Sequence, residues 1–335
     1  MTARFTRSNR LRGAVMPASL VLALAFASCG ASDRGPARAT PSDAAPVIDE
    51  AFWKHWGDGR GELAGYDLTV RRYGELRRGT AVTIFVTETF SDSLRVKADP
   101  GRHSKADEFP VMKLNRVEDF PTGIYDYNLM TSVFVSLAPH AGRGAGTVTK
   151  VAFSAQEWCG QAFAQLLFDA DRARYTSHSY FDGEADEQRS IAVPRDAISG
   201  DALMLWARGF AAPRLAPGAR VTVPLVGSLA TARLTHQPLA VGRVTLTRAA
   251  ARERITVPAG TFETERFSAT IAGGQAYTFD VETVAPRRIV RWTTHDGGHA
   301  ELLGSERLAY WKSNGLGGER GLAGLGLRSR PWRTP

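Results

Sequence analysis

Period-two alternation dominates this chain. In AVTIFVTETF, residues 81–90, Val82, Ile84 and Val86 alternate with Thr83, Phe85 and Thr87. β-branched and aromatic side chains fill both faces, which is the composition of a strand. The alternation sharpens downstream. Phe267, Ala269 and Ile271 point one way and Arg266, Ser268 and Thr270 the other; after Gly273-Gly274, Tyr277, Phe279 and Val281 alternate with Thr278, Asp280 and Glu282. That pattern predicts a hairpin with one dry and one wet face. A similar hairpin joins RIVRWTT to HAELLGSERLAYW across Asp296-Gly297-Gly298. Strands with one solvated face fit an antiparallel sheet better than a parallel sheet under helices. The expected fold is therefore mainly β: a large antiparallel curved sheet, barrel or half-barrel, with a few short helices. Tyr277, Phe279 and Trp292 fall on the dry face, where such aromatics either fill a solid core or line an apolar cavity.

Two helical stretches interrupt the strands. In VIDEAFWKHWG, after Pro46, Ile48, Phe52 and Trp56 recur every fourth residue, Asp49 and Glu50 occupy the first turn, and Gly57 ends the pattern, as helix start and stop signals require. In ISGDALMLWARGF, residues 198–210, Ser199 is placed to cap and Ala202, Leu205 and Trp206 mark an apolar stripe. The Pro-containing AAPRLAPGA follows it. Residues 195–215 thus read as the connection between two β-rich halves, 46–195 and 196–312, and nothing in the pattern decides whether the halves share one sheet. Residues 313–335 read as a Gly/Arg-rich flexible tail.

The N-terminal 28 residues read as a signal peptide. Arg4, Arg7, Arg10 and Arg12 precede an apolar run from about Ala14 to Ala27. At roughly 14 residues this run is shorter than the about 20 a membrane-spanning helix needs, and Pro17 interrupts it. Phe26, Ala27 and Ser28 before Cys29 resemble the lipobox of bacterial lipoproteins, whose cysteine receives diacylglycerol. Cys29 is accordingly the expected lipid attachment site. The plain alternative is a secretory leader cut near Ala27 or Ser28, with Cys29 left as a free thiol. Residues 29–45, rich in Ala, Pro, Ser, Gly and Asp, have no periodic apolar face and read as a disordered tether. The lipoprotein resemblance implies two or three acyl chains on one cysteine, which makes a durable anchor. Gly30, in place of Asp, resembles the sorting pattern that implies the periplasmic face of the outer membrane.

Charge changes this picture little. The chain carries a formal net charge of +8, but the leader arginines and the tail, with Lys312, Arg320, Arg328, Arg330 and Arg333 against Glu319, hold that excess between them. The body is near neutral, so it lacks the concentrated basic footprint of a nucleic-acid surface. Cysteine usage is equally plain. With Cys29 acylated, Cys159 has no partner for an intramolecular disulfide.

Several stretches resemble known sequences. VPAGTFETERF (257–267), APRRIVRW (285–292) and SGDALMLWARGF (199–210) are similar to uncharacterised β-rich bacterial envelope proteins grouped as a domain of unknown function. SDSLRVKADPG (91–101), TGIYDYNLMTSVFV (122–135) and FSAQEWCGQ (153–161) resemble bacterial sequences that carry the label septum formation inhibitor Maf. That label implies an intracellular nucleotide pyrophosphatase with a Ser- and Arg-rich phosphate motif close to its N-terminus. Here that end is a leader and a tether, so the chemistry does not transfer.

Four groups of side chains are candidates for chemistry. Cys159, between Trp158 and AFAQLLF, is a nucleophile if a cation lowers its pKa, and a packed strand residue otherwise; packing is the expectation. His295 and His299 flank a Gly-rich turn, but a metal site needs three or four ligands. Asp182, Glu184, Asp186 and Glu187 approach the spacing of a calcium loop without its bend glycine or distal glutamate, so a solvated hairpin end is expected. Tyr125, Asp126, Tyr127 and Asn128 form a polar-aromatic patch, either a core edge or a ligand floor. No Gly-rich phosphate loop, nucleophile elbow or zincin helix appears, and no cofactor or metal is expected. Two function classes follow: an envelope lipoprotein that binds an apolar or cell-envelope ligand or an envelope partner protein, and a cell-envelope hydrolase or transferase with catalytic residues scattered over strands. The expected partners are the membrane, through the anchor, and an apolar ligand, with no nucleic acid.

Overall fold

The computed structural model describes residues 46–328; the leader, Cys29, the whole tether and the last seven residues of the expected tail lie outside this range. Fifteen strands form a single sheet. β1 (Gly61–Arg72), β2 (Glu75–Ser91), β3 (Glu108–Thr122), β4 (Tyr125–Ser136), β5 (Val148–Glu157), β6 (Gly160–Phe168), β7 (Arg172–Ser179) and β8 (Glu187–Ala192) run as one up-and-down meander. β9 (Ile198–Ser199), β10 (Arg220–Val226), β11 (Val241–Val257), β12 (Gly260–Ile271), β13 (Ala276–Glu282), β14 (Ile289–Thr294) and β15 (His299–Leu308) run as a second. Antiparallel pairing of β1 with β15 joins them, so the two halves share one sheet. Only β9 and β10 pair in parallel.

The sheet is open, with β8 and β9 at its edges. These edges are consecutive in sequence, separated by Val193–Ala197 alone. Five residues bridge at most about 20 Å, whereas fifteen strands laid flat would put the edges about 65 Å apart. The sheet must therefore curl until its two edges lie within about 20 Å of one another at the end where the chain crosses between them, and it does so where the connection between the halves is expected, without β8 and β9 pairing.

The segment after this crossing fills the concave side. Ser199 accepts from the Asp201 amide and caps a 3-10 turn, Gly200–Ala202, as its position predicts, and α2 (Leu203–Ala207) continues it. Every residue of α2 is buried, not a stripe alone. A third helix, α3 (Leu229–Thr235), absent from the sequence pattern, packs inside β5 and β6 and is capped by Ser228. α1 (Glu50–Trp56) has its predicted caps: Asp49 accepts from the Phe52 amide at 2.8 Å, and Gly57 ends it.

The period-two reading holds in β12 and β13 with one difference. Phe267, Ala269, Phe279 and Val281 are buried on the concave face, but Asp280 and Glu282, expected in water, are buried as well. Asp280 lies between its register partners Arg266 and Arg291, at 2.9 and 2.8 Å, and Glu282 holds Arg288 at 2.7 Å. Cross-strand pairing makes that burial tolerable.

The stretch expected as a flexible tail is largely exposed from 313 to 324, but part of it rests on the sheet. Gly65 and Gly304 face one another across β1 and β15, and a 3-10 segment, Gly318–Leu325, lies against them, burying Leu325. A methyl group at Gly65 would strike the Leu325 carbonyl oxygen, so two glycines open a window that only bare backbone allows.

Candidate functional site

A largely apolar cleft lies at the end of the sheet where α1 enters. Its walls are α1 (Val47, Ala51, Phe52, His55, Trp56), the chain from Trp206 to Leu215, the turn Ala285–Arg287, and Arg248 and Phe267 from β11 and β12. It encloses about 350 Å³. Aromatic rings set its shape: Phe210 meets Trp56 edge-on at 5.4 Å and Phe52 at 6.2 Å, and Trp206 meets Phe267 at 5.6 Å. Edge-to-face contacts at these distances hold the rings in fixed orientations. Trp206 also donates through Nε1 to the Pro213 carbonyl at 2.9 Å, fastening α2 to the far wall.

Arg208 anchors that wall to the sheet. It grips both oxygens of Glu62 in β1, at 2.6 and 3.2 Å, and donates to the Pro286 and Arg287 carbonyls at 2.8 and 2.9 Å. Phe85, Trp56 and Phe210 surround its guanidinium. Nearby, burial pushes the Glu265 carboxyl up, but the hydrogen bond from Arg287 and the charge of Arg248 outweigh it and hold its pKa below the ordinary value. Burial and then the Arg307 charge lower the His55 pKa. Arg307 donates to His55 Nε2 at 3.0 Å; since arginine only donates, that nitrogen carries the lone pair.

A second cluster occupies the opposite end, where the β1–β2, β3–β4, β5–β6 and β7–β8 turns gather. Here the structure brings together residues singled out in sequence. Tyr127 is fully buried; Tyr73 meets its hydroxyl at 2.6 Å and Arg72 at 2.8 Å, while Tyr125 reaches Tyr73 at 3.5 Å. Burial, then a hydrogen bond to Glu157, raises the Tyr127 pKa. For Tyr73, burial acts upward, but hydrogen bonds with Tyr125 and Tyr127 and the Arg72 charge bring it below the ordinary tyrosine value. Arg233 of α3 binds Glu157 at 2.6 Å and contacts His236 Nε2 at 3.3 Å; His236 Nδ1 meets Glu184 at 2.5 Å, and Ser179 donates to Glu184 at 3.4 Å.

The order of these contacts decides their chemistry. A hydroxyl nucleophile needs a base beside it and an acid behind the base. Here the carboxylate stands between Ser179 and His236, and Arg233 takes the histidine lone pair. The cluster fastens α3 to the sheet instead of activating a nucleophile.

The remaining candidates separate. Cys159 is not a packed strand residue: it lies exposed in the β5–β6 turn beside Trp158, which is 73% exposed. His295 and His299 are both exposed, and among the described residues no group of three potential ligands forms a metal site. Asp182, Asp186 and Glu187 lie exposed at the β7–β8 hairpin end, with only Glu184 folded inward. Asp126 is exposed, and Asn128 donates to Asp119 at 2.7 Å. Phe279 and Trp292 are buried, and with the half-buried Tyr277 they border a cleft of about 160 Å³ beneath α3. No motif signals the α1 cleft, since its walls come from five separate stretches of the chain. No helix of the described residues is long and apolar enough to cross a membrane. Comparison of the chain with protein-family models, with curated proteins and with solved structures finds no match.

Proposed function

We propose that the protein is a lipid-anchored component of the bacterial cell envelope whose folded domain takes up the apolar part of a small amphiphile in the cleft beside α1. The observation that carries this reading is the aromatic lining of a cleft of about 350 Å³, within the ~300–1,000 Å³ typical of small-molecule sites. Position adds support. Val47 and Ala51 line the cleft, so its wall includes the first residues that follow the expected tether in the chain. The hydrolase or transferase reading has less support, because the Ser179–Glu184–His236 grouping has the wrong order.

Ala51 is exposed on α1 and lines the cleft, so a larger side chain there fills the space with little effect on the core. Ala51→Trp is expected to weaken binding of an environment-sensitive apolar dye by about tenfold or more, a change of about 1.4 kcal/mol, with an unchanged circular dichroism spectrum. Absence of saturable dye binding to the unaltered protein, or equal binding by the variant, would remove the cleft from the proposal. Anchoring has its own test. In cells, Cys29→Ala should shift the protein from the membrane to the soluble fraction; an unaltered protein that is already soluble and has no lipid mass on its N-terminal peptide would overturn the anchor.

A further inference from the structure

The cleft wall carries four arginines, Arg208, Arg214, Arg248 and Arg287, and no carboxylate. Their counter-charges stand behind it and are too few. Glu62 neutralises Arg208 in a two-pronged pair with both side chains buried. One further carboxylate, Glu265, serves Arg248 at 2.7 Å and Arg287 at 3.0 Å, and Arg252 also draws on it at 3.9 Å. Arg214 is exposed and, among the described residues, forms no ion pair. Arg248 Nε is buried with no hydrogen-bond partner. His55, the remaining titratable group of the lining, has a lowered pKa and adds no positive charge at neutral pH. At least two positive charges of the wall are therefore uncompensated, and they border an aromatic surface where screening is weaker than in bulk water.

We propose that the cleft selects single-chain amphiphiles with an anionic phosphate or carboxylate headgroup: the aromatic rings take the acyl chain, and Arg214 with Arg287 takes the headgroup. The proposal rests on the reading of the cleft as an amphiphile site and adds the charge of its ligand. Guanidinium suits this role because its planar fork pairs with two oxygens at once and stays charged at every physiological pH.

The test compares two probes that differ only in the phosphate. A lysophosphatidic acid and the monoacylglycerol of the same chain, both below their micellar concentrations, are titrated against dye bound to the full-length protein. The lysophosphatidic acid is expected to displace dye at about tenfold lower concentration, and the ratio should shrink in about 0.5 M salt. Arg214→Gln should reduce the ratio to about threefold or less, while Arg78→Gln, the same charge change at the opposite end on a side chain 80% exposed, should leave it intact. Equal displacement by the two probes, or a ratio that Arg214→Gln does not alter, overturns the charge selection and leaves the cleft reading standing. Failure of both probes to displace dye removes the cleft reading itself. Displacement by inorganic phosphate alone at the lipid's concentration overturns the amphiphile in favour of a free anion.

Discussion

Arg208→Ala is expected to destabilise the domain by about 3–5 kcal/mol, read as a fall in the urea midpoint at unchanged slope. The size follows from what would be left behind. Arg208 and Glu62 have side chains 0% and 2% exposed, so removing the guanidinium strands a carboxylate where water does not reach. The Pro286 and Arg287 carbonyls lose their donors in the same step, at about 1–3 kcal/mol for each group left unsatisfied. Arg208→Lys keeps the charge but not the fork, and should lie between the two. Replacing both partners by apolar residues, Glu62→Leu with Arg208→Met, should recover much of the loss, because a buried pair contributes little net stability beyond avoiding an unpaired charge. A loss below about 1 kcal/mol for Arg208→Ala would mean that Glu62 finds water or another donor, and that the wall of the cleft is looser than its hydrogen bonds imply.

The same pair shows why the site was less legible in the sequence than the fold. Alternation in β2, β12 and β13 is local, so each strand announces itself within ten residues, and the caps Asp49, Gly57 and Ser199 mark their helices in the same way. Glu62 and Arg208 lie 146 residues apart; nothing near either says that they meet. The cleft has the same character. Phe52, Trp56, Trp206, Phe210 and Phe267 read individually as core residues, and only the arrival of α1 against the chain after α2 leaves a gap between them.

Other differences between the sequence pattern and the structure have local causes. α3, with the sequence LATARLT, has only seven residues, carries two threonines, and buries a charged residue: Arg233 is inside because Glu157, from a strand 76 residues away, pairs with it. No apolar stripe was there to find. Cys159 reads as a strand residue because Trp158 precedes it and AFAQLLF follows, yet Gly160 is itself a turn signal. The C-terminal segment looked flexible because glycine and arginine dominate its composition. The contact of Leu325 with the sheet depends on a window formed by Gly65 and Gly304, residues that reveal their purpose only once β1 and β15 pair.

Trp206→Ala is the other large effect expected, and it bears on stability and function together. The side chain is 2% exposed, meets Phe267 edge-on, and ties α2 to the Pro213 carbonyl. Truncation should destabilise the domain by about 3–5 kcal/mol, the range for large aromatic-to-alanine changes in a core. Trp206→Phe retains an aromatic ring against Phe267 but leaves the Pro213 carbonyl without its donor, and should lose about 1–3 kcal/mol. Because Trp206 also lines the α1 cleft, the alanine variant gains apolar space continuous with it, and an apolar void of that kind accepts an apolar guest. A saturating amphiphile should therefore raise the melting temperature of Trp206→Ala more than that of the unaltered protein, through preferential binding to the folded state. Equal shifts in the two proteins would mean that the acyl chain does not enter beside α2 and lies nearer α1. A Trp206→Ala variant as stable as the unaltered protein would show that α2 rests on the sheet without helping to hold it together.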